Sequence, residues 1–416
     1  MRLTFSIFLG LLIFIAGCDD AASSASPYRF VSNIFSTQGM TPNFFTHRDN
    51  SLLLSWIETD TEGNDLLKWA AFDGDQWNLS GTIASGRDWF VNWADFPAMA
   101  QNKSLVAAHW LKKSAEGTYD YDIHVGLSED YGQNWDTSFI IHKDKVAAEH
   151  GFVSLMPEGE DGIRAVWLDG RLTKISEESQ FGVSEDHVGH GGAMTLRTAL
   201  INMDGSLQDE KELDNRVCDC CQTDLAVVDS VVLVVYRDRS ADEIRDMGII
   251  RRVNGVWNSP SILHRDGWQI AGCPVNGPAI SANKKGEIAV VWFTAPNNAS
   301  KVQLMISKDY GETFSKPIAV TKDSTLGRVD VAWMEDDIVV SQLVAAPATQ
   351  QSFLQLSIFD TEGHKKYEEK VAPMLSSRGS GFPVMEVFQG KVWLTWTVLD
   401  SVSQQKNIQV GVIESI

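Results

Sequence analysis

The residues best equipped for chemistry fall in a few short polar stretches. Asp95, in RDWFVNWADFP (87–97), and Glu149, in AAEHGF (147–152), are carboxylates flanked by apolar residues, where lost solvation tunes an acid for proton transfer. Asp95 also has a plainer use, because an Asp before Phe96-Pro97 caps a turn. Arginines gather in the same kind of stretch. Arg171 lies in WLDGRLTKISEESQFGVSEDHVGHGGA (167–193), and Arg237, Arg239 and Arg245 lie in YRDRSADEIRDM (236–247). Arg328 stands in GRVD (327–330) and Arg378 in RGSGFP (378–383). Guanidinium forks grip carboxylate or phosphate through two parallel hydrogen bonds, so these residues suit an anion site, with His150 and His190 beside them. The competing use is salt bridging to Asp169, Asp238, Glu243 and Asp246 in the same loops. Cys218, Cys220 and Cys221 share RVCDCCQTD (216–224), and Cys273 lies in GCPVNGP (272–278). An even set of cysteines outside the cytoplasm predicts disulfides, with the pairing open. The alternative is copper or zinc held by Cys218, Cys220 and Cys221 with His187 and His190 of an H-x-x-H pair, or with His150. If the sulfurs pair as disulfides, no cofactor is expected.

The elements that must position these residues are strands. Apolar runs end in an aromatic residue in SLLLSW (51–56), LVAAHW (105–110), IRAVW (163–167), VVLVVY (231–236), IAVVW (288–292) and KVWLTW (391–396), and DIVVSQL (337–343) is their counterpart without one. Runs of this length bounded by Gly, Asn and Asp read as buried strands. They recur about every 55 residues, a period that signals a solenoid or propeller. Around each, the chain repeats a short strand, a polar turn, the apolar strand, a loop, an alternating strand and a hairpin turn. Those hairpins include FDGDQW (72–77), VNGVW (253–257) and FDTEG (359–363), where Asp and Gly tolerate positive φ. This spacing predicts an all-β chain, one β-propeller of seven four-stranded blades with six as the alternative, over residues 28–416. The last unit ends a strand short at NIQVGVIE (407–414), and RFVSNIFS (29–36) is a spare strand at the other end, so the N-terminal strand is expected to close the ring. In that architecture the loops named above open on one face around the axis. The six terminal aromatic residues, Tyr236 included, belong to the core between blades.

Two of the hairpin turns are near copies: SEDYGQNW (128–135) and SKDYGETF (307–314) both fit S-x-D-x-G-x-x-[aromatic]. They resemble the Asp-box, or BNR repeat, of the sialidase superfamily. The resemblance implies turns on the face away from the active site, in which Asp and Ser bond the hairpin backbone. Sialidases of this superfamily have six blades, three arginines that grip a carboxylate, a Tyr–Glu nucleophile pair and an Asp acid/base. The family also includes other glycosidases and non-enzymatic propellers. This chain has seven units, and its nearest text to the family's [FY]-R-I-P sequence is Tyr28-Arg29-Phe30-Val31, without the Pro. The resemblance therefore implies a propeller that binds an anionic glycan and, in its enzymatic form, an exo-sialidase-like glycoside hydrolase. The alternatives are a non-catalytic glycan- or protein-binding propeller, and a metal- or redox-handling one built on the Cys/His cluster.

The N-terminal MRLTFSIFLGLLIFIAGC carries one Arg and then an uncharged apolar run too short to span a bilayer comfortably, the pattern of a signal peptide (1–17). Its end, Ile15-Ala16-Gly17-Cys18, resembles the lipobox of bacterial lipoproteins, which implies a lipid on Cys18. Residues 18–27 then read as the lipidated Cys and a flexible tether. The expected location is the bacterial cell envelope, facing periplasm or exterior, with contact to membrane through the anchor only. A net charge of −20 opposes nucleic-acid binding. The expected partner of a monomeric chain is an anionic glycan or an envelope protein.

Overall fold

A computed structural model describes residues 27–46, 51–135, 138–174, 192–322, 324–346, 351–400 and 405–415. Cys18, the tether up to residue 26, His187 and His190 lie outside the described residues. The described chain folds into seven antiparallel four-stranded sheets, six of them with their strands in sequence order from inside to outside, with a fifth short strand in one of the six. Blade 1 covers residues 40–86, blade 2 residues 99–140, blade 3 residues 150–214 and blade 4 residues 224–264. Blades 5 and 6 cover residues 279–319 and 325–374. Blade 7 takes three strands from residues 384–415 and its outermost strand from Tyr28–Gln38. That strand runs antiparallel to Lys406–Ser415, with Phe30 opposite Ile413 and Phe35 opposite Val410. The propeller is thus closed by its N-terminal strand, which covers the outer edge of Lys406–Ser415. The short extra strand, Ser261–His264, pairs with Met247–Val253 in blade 4.

The second strand of each blade is the most deeply packed. Trp56, Trp110, Trp167, Tyr236, Trp292 and Trp396 are all buried, and each joins an apolar cluster of sheet residues. Burying side chains of this size contributes on the order of 2–3 kcal/mol each. The two near-identical turns show why the repeat is kept. In the first, the Ser128 hydroxyl donates to Asp130 at 2.8 Å and accepts from the Gly132 amide at 2.8 Å, while Asp130 accepts from the Asn134 amide. Ser307, Asp309, Gly311 and Thr313 repeat the pattern at 2.7–2.9 Å. Gly132 and Gly311 have φ of +84° and +72°, and a side chain there would meet Trp69 of blade 1 or Leu233 of blade 4. Each turn therefore nests against the preceding blade. The Tyr131 and Tyr310 amides bond the first inner turn of their own blade, at Ser104 and Gly286, so both motifs lie at the end opposite the polar loops.

The innermost strands surround an axial cavity of about 430 Å³. Residues 92–97 cross its loop-bearing mouth. Trp93 stacks on Phe382 from the entry to blade 7, the Ala94 carbonyl accepts from Gln222 before blade 4, and Asp95 bonds the Phe152 amide of blade 3.

Candidate active-face site

Glu149 precedes the inner strand of blade 3 (His150–Glu158), where an isolated bridge to Tyr121 of blade 2 and a hydrogen bond from Gly170 to its carbonyl fix the backbone. Its half-buried carboxyl reaches the Tyr121 hydroxyl at 3.0 Å, and Asp95 reaches the same hydroxyl at 3.0 Å from the other side. A phenol has one proton to donate, so one of these carboxyls must be protonated and donate to the phenol oxygen. Burial pushes Asp95 up to about 7, against the pull of the Phe152 amide and Tyr121. Burial also raises Glu149 well above the usual carboxylate range, and the neighbouring charges of Asp95, Asp219 and Cys273 add to it. Asp95 is fully buried and holds the Phe152 amide at 2.7 Å, which favours its anion, so the proton belongs on Glu149. Tyr121 is itself fully buried, and burial and the two carboxyls hold its phenol protonated.

Beside this trio sits a buried charge network. The rings of His142 and His150 stack in parallel at 3.7 Å. His142 Nδ1 donates to Asp144 at 2.8 Å, and its Nε2 accepts from the Ile123 amide. Burial, then the charge of His150, lower His142 to about 4, so it is neutral. Burial alone would lower His150 too, but the Asp144 hydrogen bond and the charges of Asp169, Asp144 and Asp122 raise it. Arg171 completes the network. It forks onto both oxygens of Asp169 at 2.7 and 2.6 Å and reaches Asp144 at 3.3 Å.

This placement corrects much of the anion-site expectation. Arg171 is neutralised by Asp169, the loop acid named as its competitor. His150 is fully buried, its Nε2 3.4 Å from Asp144 and 3.7 Å from Asp169, inside this network rather than on the open face. Arg237 is fully buried and donates to the main-chain carbonyls of Asn276, Arg245 and Phe293, tying blades 4 and 5 together. Arg239 forks onto Glu243 and bonds Asp219, and buried Arg245 bonds Glu243 at 2.6 Å. Arg328 is buried against the Trp93 ring and bonds carbonyls of residues 376, 377 and 381. Only Arg378 of the six is exposed, its guanidinium 5.9 Å from the Trp93 ring at the rim of the axial mouth. These residues therefore do not form an open arginine triad. The four cysteines expected to form disulfides stand as free thiols, gathered where the entry loops of blades 4 and 5 meet.

Three further acids went unread in the sequence. Asp224 accepts the amides of Leu225 and of Ile280 in the next blade, both at 2.8 Å. Asp330 does the same with Val331 and Met385, and Glu386 bonds Val387 and Thr46. Burial pushes Asp224 up to about 7, Asp330 well above its usual range and Glu386 in the same direction. Each clasps one inner strand to the next around the cavity. The signal was present in the matched texts Asp224-Leu225-Ala226 and Asp330-Val331-Ala332.

No protein-family model matches the chain, and no curated protein matches its sequence. Solved structures share its fold. An ulvan lyase described as a new family of polysaccharide lyase superposes with a TM-score of 0.58 at 8% identity, over 91% of this chain and 95% of that one. The polysaccharide lyase Uly1 gives 0.56 at 8% identity, over 90% of each chain. The endosialidase of phage phi92 gives 0.52 at 10% identity, over 94% of this chain and 70% of that one.

Proposed function

We propose that this propeller binds an acidic polysaccharide on its loop-bearing face and protonates a glycosidic oxygen from Glu149. The observation that carries the reading is the Glu149–Tyr121–Asp95 chain: a half-buried carboxyl held protonated by hydrogen-bond count, beside the axial mouth. A general acid must keep its proton near neutral pH and still meet solvent or substrate, and Glu149 does both. Arg378, exposed beside the Trp93 ring, offers a cation to an anionic sugar there. Support for the ligand class comes from what proteins of this fold do. One ulvan lyase of the same fold, with a TM-score of 0.57, is bound to -[GlcA(1-4)Rha3S]-, a uronate and a sulfated sugar. Exo-sialidase chemistry is not favoured, because the arginines are occupied by the chain's own acceptors.

The test is a panel of uronate-rich, sulfated, sialylated and neutral polysaccharides, read by binding, reducing-end release and the ultraviolet absorbance of an unsaturated product. Turnover of an acidic member by the wild type, lost in Glu149→Gln while binding survives, is expected. Binding without turnover removes the role of Glu149 and leaves a glycan-binding module; no binding to any member overturns the reading. We also propose that the protein works at the cell envelope, held by a lipid on Cys18, as the IAGC motif suggests. A Cys18→Ser chain that still partitions with membranes would remove that part.

A further inference from the structure

The loop entering blade 4 holds three sulfurs, Cys218, Cys220 and Cys221, within 4.8 Å of one another, and the loop entering blade 5 brings Cys273 beside them. Cys218 Sγ lies 3.2 Å from Cys221 Sγ and 3.9 Å from Cys220 Sγ, and the Cys220 thiol donates toward the Cys273 sulfur. The backbone holds them there independently of the sulfurs. The Cys218 amide bonds the Arg237 carbonyl, and Gln222 links the two loops by accepting from the Gly277 amide at 3.0 Å. Cys218 and Cys221 are buried, whereas Cys273 is exposed, so the cluster runs from the interior to solvent.

Two buried guanidinium groups face this cluster. Arg237 has no carboxylate at ion-pair distance among the described residues; it donates to carbonyls and acts on Cys221 through its charge. Arg245, 2% exposed, bonds Glu243 through Nη2 and lies 3.8 Å from Asp219 through Nη1, but its Nε and Nη1 make no hydrogen bond, and its charge acts on Cys218 and Cys273. Buried cationic nitrogens without partners are costly, and neutral thiols do not satisfy them. A disulfide does not either. Cys218 also lies close to two other sulfurs at once, and one sulfur cannot bond both.

We propose that Cys218, Cys220, Cys221 and Cys273 form a four-sulfur site for one zinc(II) ion. Tetrahedral zinc–thiolate bonds of about 2.3 Å place neighbouring sulfurs about 3.8 Å apart, which the two observed distances bracket. Zinc with four thiolates carries two net negative charges, which suits a pocket faced by Arg237, with no carboxylate partner among the described residues, and by Arg245, whose charge is shared with Glu243 and Asp219. Binding releases the four thiol protons, so retention of the ion weakens as pH falls. The ion fastens the entry loops of blades 4 and 5 beside Glu149, and the assignment stands whether or not Glu149 is a catalytic acid. This set, C-x-C-C with Cys273, differs from the set with His187 and His190 considered from sequence, two residues outside the described ones.

The test uses the full chain purified without chelator. Elemental analysis is expected to give one zinc per chain, and a thiol reagent to find the four sulfurs protected until a chelator is added. Cobalt(II) replacing zinc is expected to show sulfur-to-cobalt charge transfer and tetrahedral ligand-field bands. Cys273→Ser changes an exposed residue, so folding survives, checked by unchanged elution and circular dichroism. Its cobalt spectrum is expected to shift and its zinc to be lost on dialysis. Four freely reactive thiols without metal, two disulfides in the alkylated chain, stoichiometric copper in place of zinc, or a Cys273→Ser cobalt spectrum identical to wild type each overturn the proposal.

Discussion

Replacing Asp95 with Asn isolates the electrostatics of the Glu149–Tyr121–Asp95 chain from its geometry. The amide is the same size as the carboxyl. Its oxygen keeps the bond from the Phe152 amide, and its NH2 donates to the Tyr121 oxygen, leaving the phenol proton for Glu149. What disappears is the titration. In the wild type, burial pushes Asp95 from an ordinary 3.8 to about 7. A carboxyl raised in this way binds its proton more tightly in the folded chain than in the unfolded one. Stability is then greatest at low pH, falls as pH rises past the unfolded value near 4, and levels off above about 7. A shift of about three units is worth roughly 4 kcal/mol once ionisation is complete, at about 1.4 kcal/mol per unit. Part of that is already lost at pH 5, so the window from pH 5 to pH 8 carries about 2–3 kcal/mol. The assay is denaturant unfolding of both proteins at the two pH values. The wild type is expected to lose about 2–3 kcal/mol more than Asp95→Asn across the window. Parallel losses would refute the reasoning, since they would mean that Asp95 ionises in the folded chain as readily as in the unfolded one.

Deleting residues 28–38 removes the outer strand of blade 7, and the truncated chain is expected to aggregate or lose its cooperative melt; melting within a few degrees of wild type would exclude ring closure by this strand. Arg171→Lys keeps the charge but loses the fork onto Asp169, so a stability loss of about 1–3 kcal/mol is expected with glycan binding intact, and the reverse outcome would return Arg171 to the ligand site. Gly311→Ala places a Cβ 2.2 Å from Leu233 Cδ2 at positive φ, and should cost about 1–3 kcal/mol in unfolding experiments; a neutral result would mean that the turn does not nest on blade 4. In a proton NMR titration His142 is expected to stay neutral down to about pH 4 while His150 titrates above its ordinary value; coincident midpoints would contradict the stacked pair.

The blades were legible because their signal is local. SLLLSW and IAVVW announce a buried strand wherever they stand, and the spare strand at residues 29–36 found its place because NIQVGVIE left one vacant. Asp95 and Glu149 were legible as loop acids near apolar residues, but the phenol that joins them was not, since Tyr121 lies far along the chain from both. The arginines misled for the same reason. Arg237 looks like a free cation in YRDRSADEIRDM, yet its partners are carbonyls at 276 and 293, set by how blade 5 packs on blade 4. His142 and Asp144 carry no local signal of a site, because nothing in their own stretch shows that His150 and Asp169 close over them. The alternative of salt bridges within loops, by contrast, was readable residue by residue, and Asp169 and Glu243 fulfil it.

The pairing of Phe30 with Ile413 also sets a schedule. As the polypeptide emerges during synthesis, blades 1 to 6 each receive all their strands in order and gain local hairpins early. Tyr28–Gln38, made before any of them, has no partner until the final residues exist, and waits as an exposed edge throughout. The last event in folding is therefore the meeting of the two chain ends. Any delay between making Tyr28–Gln38 and making Lys406–Ser415 lengthens the time in which that edge is open to wrong partners.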